Sequence, residues 1–529
     1  MKIIKSLVLG SAAGLLAMSG AQAADLPVKA KAVEYVRICS LYGAGFFYIP
    51  GTDTCIKLGG YLRVDTTFNG NVYGLPSYSG DLGQGNRYRD SFVSRSRMAL
   101  TVDTRTATEY GVVRTFGQGD FQFQNQGTNN PAALGSFPGG TQQSLYVAGG
   151  GYVGVEMVFI QFAGFTFGKS ASAYATPWHG YPGNNNSFLM GGHDTVTGVN
   201  NIQYTAQFGN GVSGTIGLDD PTVFNRTALL NLGVGATPTG FAANVSATAA
   251  GGNAYSGTHS PDIVGNIRVN QAWGLFQISG ALHEVNASYN VLSLGGVPNA
   301  GSETSGHPDA KWGGSVMAAL QIKNLPTGAG DDIKFDISYA KGDTKNVIST
   351  SGGSPSFAMF GGTGRTGAYQ SIGFGQTSDA VFLPGFVTGG TTGDIKLTEA
   401  WGFRGAFNHN WDPYWSSSLW GGYSAVRYNG NQADIATAKG QFCASFNFGK
   451  VRSADYSCNP DFNIAQVGMV TRWTPVKNLT FSAEVGAFFL NQKFEGAATL
   501  APAAPKPTTV YEFKDQSTVF LNVRAQRNF

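Results

Sequence analysis

The chain has 529 residues, 35 Lys plus Arg against 32 Asp plus Glu, only 13% charged residues and 75 Gly. Hydrophobic residues reach 42%, with 36 Phe and 22 Tyr, which excludes a disordered chain, because disorder goes with low hydrophobicity and high net charge. The near balance of charge also excludes the basic excess that neutralises phosphates, so nucleic acid is not an expected partner.

Residues 1–23 place Lys2 and Lys5 before an apolar run from Leu7 to Met18 and end in the small-residue exit Ala21-Gln22-Ala23. That order is the one of a cleaved secretory signal peptide. The remaining 506 residues carry 33 basic and 32 acidic groups. No later run approaches the ~18 consecutive apolar residues of a spanning helix, which excludes an α-helical membrane protein. Residues 24–56 read as an N-terminal segment and 57–529 as one large β domain.

Cys39 and Cys55 lie 16 apart, Cys443 and Cys458 lie 15 apart, and no C-x-x-C occurs. Export to an oxidising compartment makes two local disulfides the natural reading, with free buried thiols as the weaker one. The six His do not fall at finger-like spacing from the Cys, so no metal site is expected.

Past this point the hydrophobic period is two. In residues 201–208, Ile202, Tyr204, Ala206 and Phe208 fall on one face, and Asn201, Gln203, Thr205 and Gln207 on the other. In 332–339, Ile333, Phe335, Ile337 and Tyr339 oppose Asp332, Lys334, Asp336 and Ser338. Strands are expected near 57–68, 93–105, 108–118, 150–162, 165–170, 199–208, 212–219, 262–273, 275–286, 309–323, 332–342, 396–411, 415–428, 462–474, 479–491 and 517–529. Tight turns such as Gly209-Asn210-Gly211 alternate with long loops rich in Gly, Ser, Asn and Thr. The segment 108–118 is ambiguous, since Arg114 shares parity with Tyr110 and Val112.

Alternation alone also suits a soluble β-sandwich. Three features favour a membrane barrel: Arg, Asp and Lys at mid-strand on the polar face, aromatics such as Trp273, Trp401, Trp411 and Trp473 near strand ends, and a final strand that runs to Phe529. A sheet in lipid must close on itself, because hydrocarbon cannot satisfy a free strand edge. The expected fold is therefore all-β, a 16-stranded antiparallel transmembrane barrel with long loops on one side and short turns on the other. Sixteen tilted strands leave an aqueous channel, where eight would be filled by side chains.

The segment Val36–Asp65, VRICSLYGAGFFYIPGTDTCIKLGGYLRVD, resembles the start of the alphaproteobacterial general porins, and QFAGFTFGKS at 161–170 is similar to that family's segment before its constriction loop. The terminal Phe529 is similar to the signal that outer-membrane barrels show to their assembly machinery. The resemblance implies a homotrimer in outer-membrane lipid, forming a passive channel for small hydrophilic solutes and ions. It also implies a loop after the fifth strand that folds inward and presents acids to basic wall residues. Here that loop is 171–199, holding His179, His193 and a single acid, Asp194.

The candidate constriction is Arg63, Arg95 and Arg97 against Asp194, with Asp65, Asp103, Arg105 and Arg268 as further lumen-facing charges. Opposed fixed charges there would orient dipolar solutes and bias ion passage. The competing reading has the same arginines in ion pairs along the wall with Asp65 and Asp103. Nothing points to catalysis or a cofactor. GFTFGKS at 164–170 has one residue too few between its glycines for a phosphate loop, and GTGRTG at 362–367 lacks a βαβ setting. The alternatives are a solute-specific channel with a site in loop 171–199, and a barrel adhesin or receptor acting through loops around 221–260 and 344–395.

Overall fold

The computed structural model describes residues 37–70, 91–124, 151–178, 180–193, 197–222, 225–231, 255–289, 306–348, 356–383, 385, 393–447, 449–502 and 506–529. The leader 1–23, His179 and Asp194 lie outside the described residues.

Sixteen strands form the wall: β1 (Thr54–Phe68), β2 (Phe92–Thr108), β3 (Gly111–Gln124), β4 (Tyr152–Phe162), β5 (Phe165–Ser170), β6 (Val199–Gly209), β7 (Val212–Asp219), β8 (Asp262–Asn270), β9 (Gly274–Val285), β10 (Lys311–Lys323), β11 (Asp332–Lys341), β12 (Glu399–Asn410), β13 (Trp415–Arg427), β14 (Phe462–Val476), β15 (Leu479–Gln492) and β16 (Gln516–Asn528). Each pairs antiparallel with its predecessor, and β16 pairs with β1 from Tyr61↔Asn528 to Phe68↔Leu521, so the sheet has no free edge. Beyond the last strand, the Phe529 N–H donates to the Gly60 carbonyl at 3.1 Å and the Gly60 N–H to the Phe529 carbonyl at 3.2 Å, extending the seam.

Burial along the strands runs opposite to that of a soluble protein. On β11, Ile333, Phe335, Ile337 and Tyr339 are 39–48% exposed while Asp336 is 0% and Ser338 2% exposed. In water such a surface would forfeit the hydrophobic gain of each apolar side chain, so the outward face requires lipid. Trp411, Trp415 and Trp473 stand exposed at the short-turn end, the last two stacked at 5.8 Å, while Trp312, Tyr339 and Trp401 mark the opposite end. These two belts sit where an interfacial girdle is expected.

Differences from the expected strands are local. β1 begins at Thr54 instead of 57, so Cys55 is part of it and its disulfide to Cys39 (S–S 1.98 Å) clips residues 39–54 onto the strand. β3 continues to Gln124, and its register pairs Arg105↔Arg114, which turns Arg114 inward and leaves Val112 at the rim, 42% exposed.

The inward parity is polar over much of the wall, but not over all of it. Trp420 on β13, Val470 on β14, Phe488 on β15 and Phe520 on β16 face inward and are 0–2% exposed. They pack on each other and on loop residues, with Phe488–Phe520 ring centroids 5.8 Å apart. Gly468 and Gly486 make room for this patch, since a Cβ at either would lie 2.2–2.3 Å from the Trp420 or Phe520 ring.

The long connections build a cap on their side of the barrel. Ser356–Gly361, Gln370–Gln376, Thr509–Phe513 and Ala497–Leu500 form a four-stranded sheet, and Ala228–Asn231, Ser378–Leu383 and Asp394–Leu397 a three-stranded one. A helix, α1 (Ala438–Asn447), packs Phe442 and Phe446 against Phe374, Phe494 and Phe513, and the Cys443–Cys458 disulfide (S–S 1.99 Å) holds its connection. Replacing Cys443 and Cys458 by Ser removes about 3 kcal/mol of chain restriction from this cap alone. Protease nicking within 429–461 is expected to rise, with the heat-resistant gel mobility of the folded barrel unchanged; loss of that mobility would show that the cap is needed for the wall.

Candidate channel constriction

Two halves of the lumen differ in chemistry, and the third long connection lies against one of them. The described residues of 171–198, after β5, run inside the barrel and are fastened to the inner faces of β8, β9, β12, β14 and β15. Asn266 on β8 donates to the Ala173 carbonyl at 2.6 Å, and Gln277 on β9 to the Ala175 carbonyl at 2.7 Å. Asn408 donates to the Pro182 carbonyl at 3.2 Å, and Arg472 to the Gly183 carbonyl at 2.5 Å. The Asn185 and Asn186 N–H groups donate to the two Glu484 carboxylate oxygens at 2.8 and 2.9 Å. Gln466 accepts from the Met190 N–H at 2.7 Å and donates to the Phe188 carbonyl at 2.9 Å.

Phe188, Leu189 and Met190 are 0–2% exposed, and the Phe188 ring lies 5.5 Å from that of Phe488 in the apolar patch of the wall. The loop also touches β12 at backbone distance. A Cβ at Gly191, where φ is +110°, would lie 2.1 Å from the Phe403 carbonyl oxygen, and one at Gly192 2.2 Å from the Asp336 carboxylate. Asp336 is paired with Arg404 at 2.9 Å, both 0% exposed, and Arg404 donates to the His193 carbonyl. This connection is a fixed partition.

His193 itself is buried, its Nδ1 2.7 Å from the Asn346 carboxamide oxygen. Burial pushes its pKa down to about 3 with help from the Lys345 and Arg404 charges, against the Asn346 hydrogen bond.

Across from this partition stands a lattice of charges on β1–β4 and β16. Register places Arg63 opposite Arg97 and Gln526, and Asp65 opposite Arg95 and Arg524. Like charges directly opposite are unfavourable, and the Arg63–Arg97 pair is tolerated because its neighbours accept from it. Arg63 donates to Gln526 at 2.8 Å, and Arg97 donates to Gln122 at 2.6 Å and to Asp120 at 2.7 Å. Arg95 holds both Asp65 oxygens at 3.0 Å, and Arg524 approaches the same carboxylate at 3.6 Å. Asp65 and Arg95 are 2% and 1% exposed, so the pair is shielded from water and its charges are held by each other and by Arg524.

The structure thus brings Arg63, Arg95, Arg97 and Asp65 together. Arg95 pairs with Asp65 along the wall, while Arg97 takes Asp120 in place of Asp65 or Asp103. Asp103 and Arg105 form a separate cluster with Arg114, at 3.1 and 2.9 Å, nearer the short-turn end. Arg268 stands across the lumen on β8 and donates to Gln277 at 2.8 Å.

Asp120, Glu156, Arg524 and Glu484 are functional candidates that the sequence reading passed over. Glu156 shares parity with the outward Val158 and Ile160, but a register shift between Gln118 and Gly119 leaves it as the extra residue of a β-bulge on β4. Its carboxylate lies 3.9 Å from Arg97 and accepts from Thr197 at 2.8 Å, and its carbonyl accepts from the Gly198 N–H at 3.1 Å. Glu156 therefore ties the end of the partition to the basic lattice. An acid in an otherwise lipid-facing run was the available signal.

Residues 25–522 match the family model of the porin subfamily. The chain belongs to that subfamily. This porin is 33% identical to porin Omp2b of Brucella abortus (strain 2308) over 276 residues, 51% of this chain and 63% of the relative, and 38% identical to porin Omp2b of Brucella suis biovar 1 over 221 residues, 41% and 54%. The matches thus span less than two thirds of the relatives' own length. The outer membrane channel DcaP of Acinetobacter baumannii has a similar fold, with TM-score 0.53 at 13% identity over 91% of this chain and 99% of that one.

Two outcomes follow for the partition. Phe188→Ala deletes its central apolar contact, worth about 3–5 kcal/mol, and raises open-channel noise; quiet currents identical to those of the unaltered chain would show that hydrogen bonds alone hold the loop. Neutral His193 stabilises the partition fully above its unfolded value of 6.5, and this contribution is lost as pH falls toward about 3, because the unfolded loop binds the proton first. Open-channel noise is expected to grow over that window and to grow less in His193→Gln.

Proposed function

We propose that this porin is an outer-membrane channel through which small hydrophilic solutes and ions diffuse passively, and not an enzyme. The observation that carries the reading is the partition pinned to one side of a closed sixteen-stranded ring, facing a charged lattice on the other. The lattice sets a polar wall, and the partition reduces the cross-section available to solutes. The leader 1–23 directs export and is removed. Phe529, at the closing seam, serves as the signal to the assembly machinery, and the barrel assembles as a homotrimer in the outer-membrane lipid, as the family resemblance implies.

Arg63, Arg95 and Arg97 against Asp194 remain the proposed constriction, now with Asp120 and Glu156 on the basic side. These carboxylates neutralise much of the arginine charge where it stands, so the field across the bore is weaker than three free arginines would give. Weak ion selectivity is the consequence.

A solute-specific channel is the second reading, favoured by a polar recess of about 390 Å³ between residues 181–184 and the inner wall, lined by Asp332, Lys334, Asn408, Ser418 and Arg472. The loops weighed for an adhesin, 221–260 and 344–395, lie partly outside the described residues.

Planar-bilayer recording tests the first reading: a steady open conductance that rises linearly with salt, with reversal potentials that shift in opposite directions for Arg97→Gln and Asp194→Asn. Absence of current sinks the channel, unchanged selectivity in both variants sinks the constriction assignment, and saturation by one solute class favours the second reading.

A further inference from the structure

The outward face of β11–β16 changes character at the cap end. Above Tyr339, Trp401 and Phe489 the next outward positions are Lys341, Glu399 and Asn491, with Asn463 opposite Asn491 on β14; on β13 the buried Ala425 separates Tyr423 from Arg427, and Lys493 follows just past β15. They form one row across neighbouring strands, at the depth where lipid headgroups begin.

The row is joined by its own bonds. Lys341 pairs with Glu399 at 2.8 Å. Arg427 donates to Asn463 at 2.6 Å and to the Val426 and Phe462 carbonyls at 2.8 and 2.9 Å; Asn463 donates to Asn491 at 3.3 Å. Lys493 donates to the same Asn491 oxygen, and Asn491 donates to Asp515. The Arg427 and Lys493 cations thus contact neutral oxygens, and neither forms an ion pair among the described residues. Strand spacing separates them by roughly 10 Å along the rim. On β9 the outward charge at this end is the acid Glu284, directly opposite Trp312.

We infer that this row binds the phosphate-bearing headgroup of an outer-leaflet lipid. Charge complementarity selects the occupant: two cations without carboxylate partners face outward, with amides between them to meet hydroxyls and an aromatic belt beneath to meet the acyl boundary. The inference rests on the outer-membrane reading above, and deepens it by naming a lipid class and a site.

The test uses the full chain in phosphatidylcholine nanodiscs with diphosphoryl lipid A or its dephosphorylated form, retained lipid being counted by native mass spectrometry. The unaltered porin is expected to retain the phosphorylated lipid about tenfold better, and Arg427→Gln with Lys493→Gln to abolish the difference. Equal retention of the two lipids, or full retention by the double variant, overturns the site. Complete displacement by millimolar inorganic phosphate overturns the lipid as its source, and loss on EDTA treatment with the variant unaffected transfers binding to a cation held by Glu399 and Asp515. Heat-resistant mobility and conductance of the variant verify its fold; a chain that binds lipid but passes no current refutes the channel and leaves the site standing.

Discussion

Every backbone N–H and C=O inside a bilayer must find its partner within the protein, and this requirement shapes the rest of the molecule. A sheet meets it only by closing, and here closure falls on the pairing of β16 with β1. Once the ring is closed, strand parity divides side chains between lipid and lumen. Each long loop must then emerge from the same end, because antiparallel strands return there in turn.

The lumen of a wide ring has more surface than water alone needs, and this chain uses the surplus asymmetrically. One half carries charges knit across neighbouring strands, from Arg524 through Asp65 to Arg95. The other half carries Trp420, Phe488 and Phe520 together with Gln466, Glu484 and Arg472, which hold residues 183–190 by apolar packing and by bonds to their backbone. A loop inside an aqueous bore keeps its shape only if its backbone groups are satisfied by the wall. The inward aromatics and the inward Glu484 are therefore parts of one device. Glycines at 183, 191 and 192 let the loop approach closely enough to complete it.

The same residue types take opposite roles according to the face they occupy. Arg95 inside is held by a carboxylate and is 1% exposed, whereas Arg427 outside rests on carbonyl and amide oxygens at the headgroup level. Aromatics follow this division too: Trp401 borders lipid, and Trp420 supports the partition. The cap repeats the logic of a small soluble domain, with its own sheets, helix and disulfide, because its residues have left the bilayer.

The strands, their number and which residues face lipid were legible in the sequence, because a period of two along β6 or β11 is a local property that lipid enforces at each step. Arg63, Arg95, Arg97 and Asp65 were likewise placed on one face by parity. Which carboxylate each arginine takes was not, since Asp120 reaches Arg97 through the register of β2 against β3, and one bulged residue turns Glu156 out of the parity that its neighbours keep. The seat of the partition was equally invisible, as Phe188 meets Phe488 across some 300 residues and only closure of the ring brings them together. Periodicity speaks for a strand and its two solvents; register, bulges and loop docking are decided between distant segments, and so belong to the tertiary structure alone.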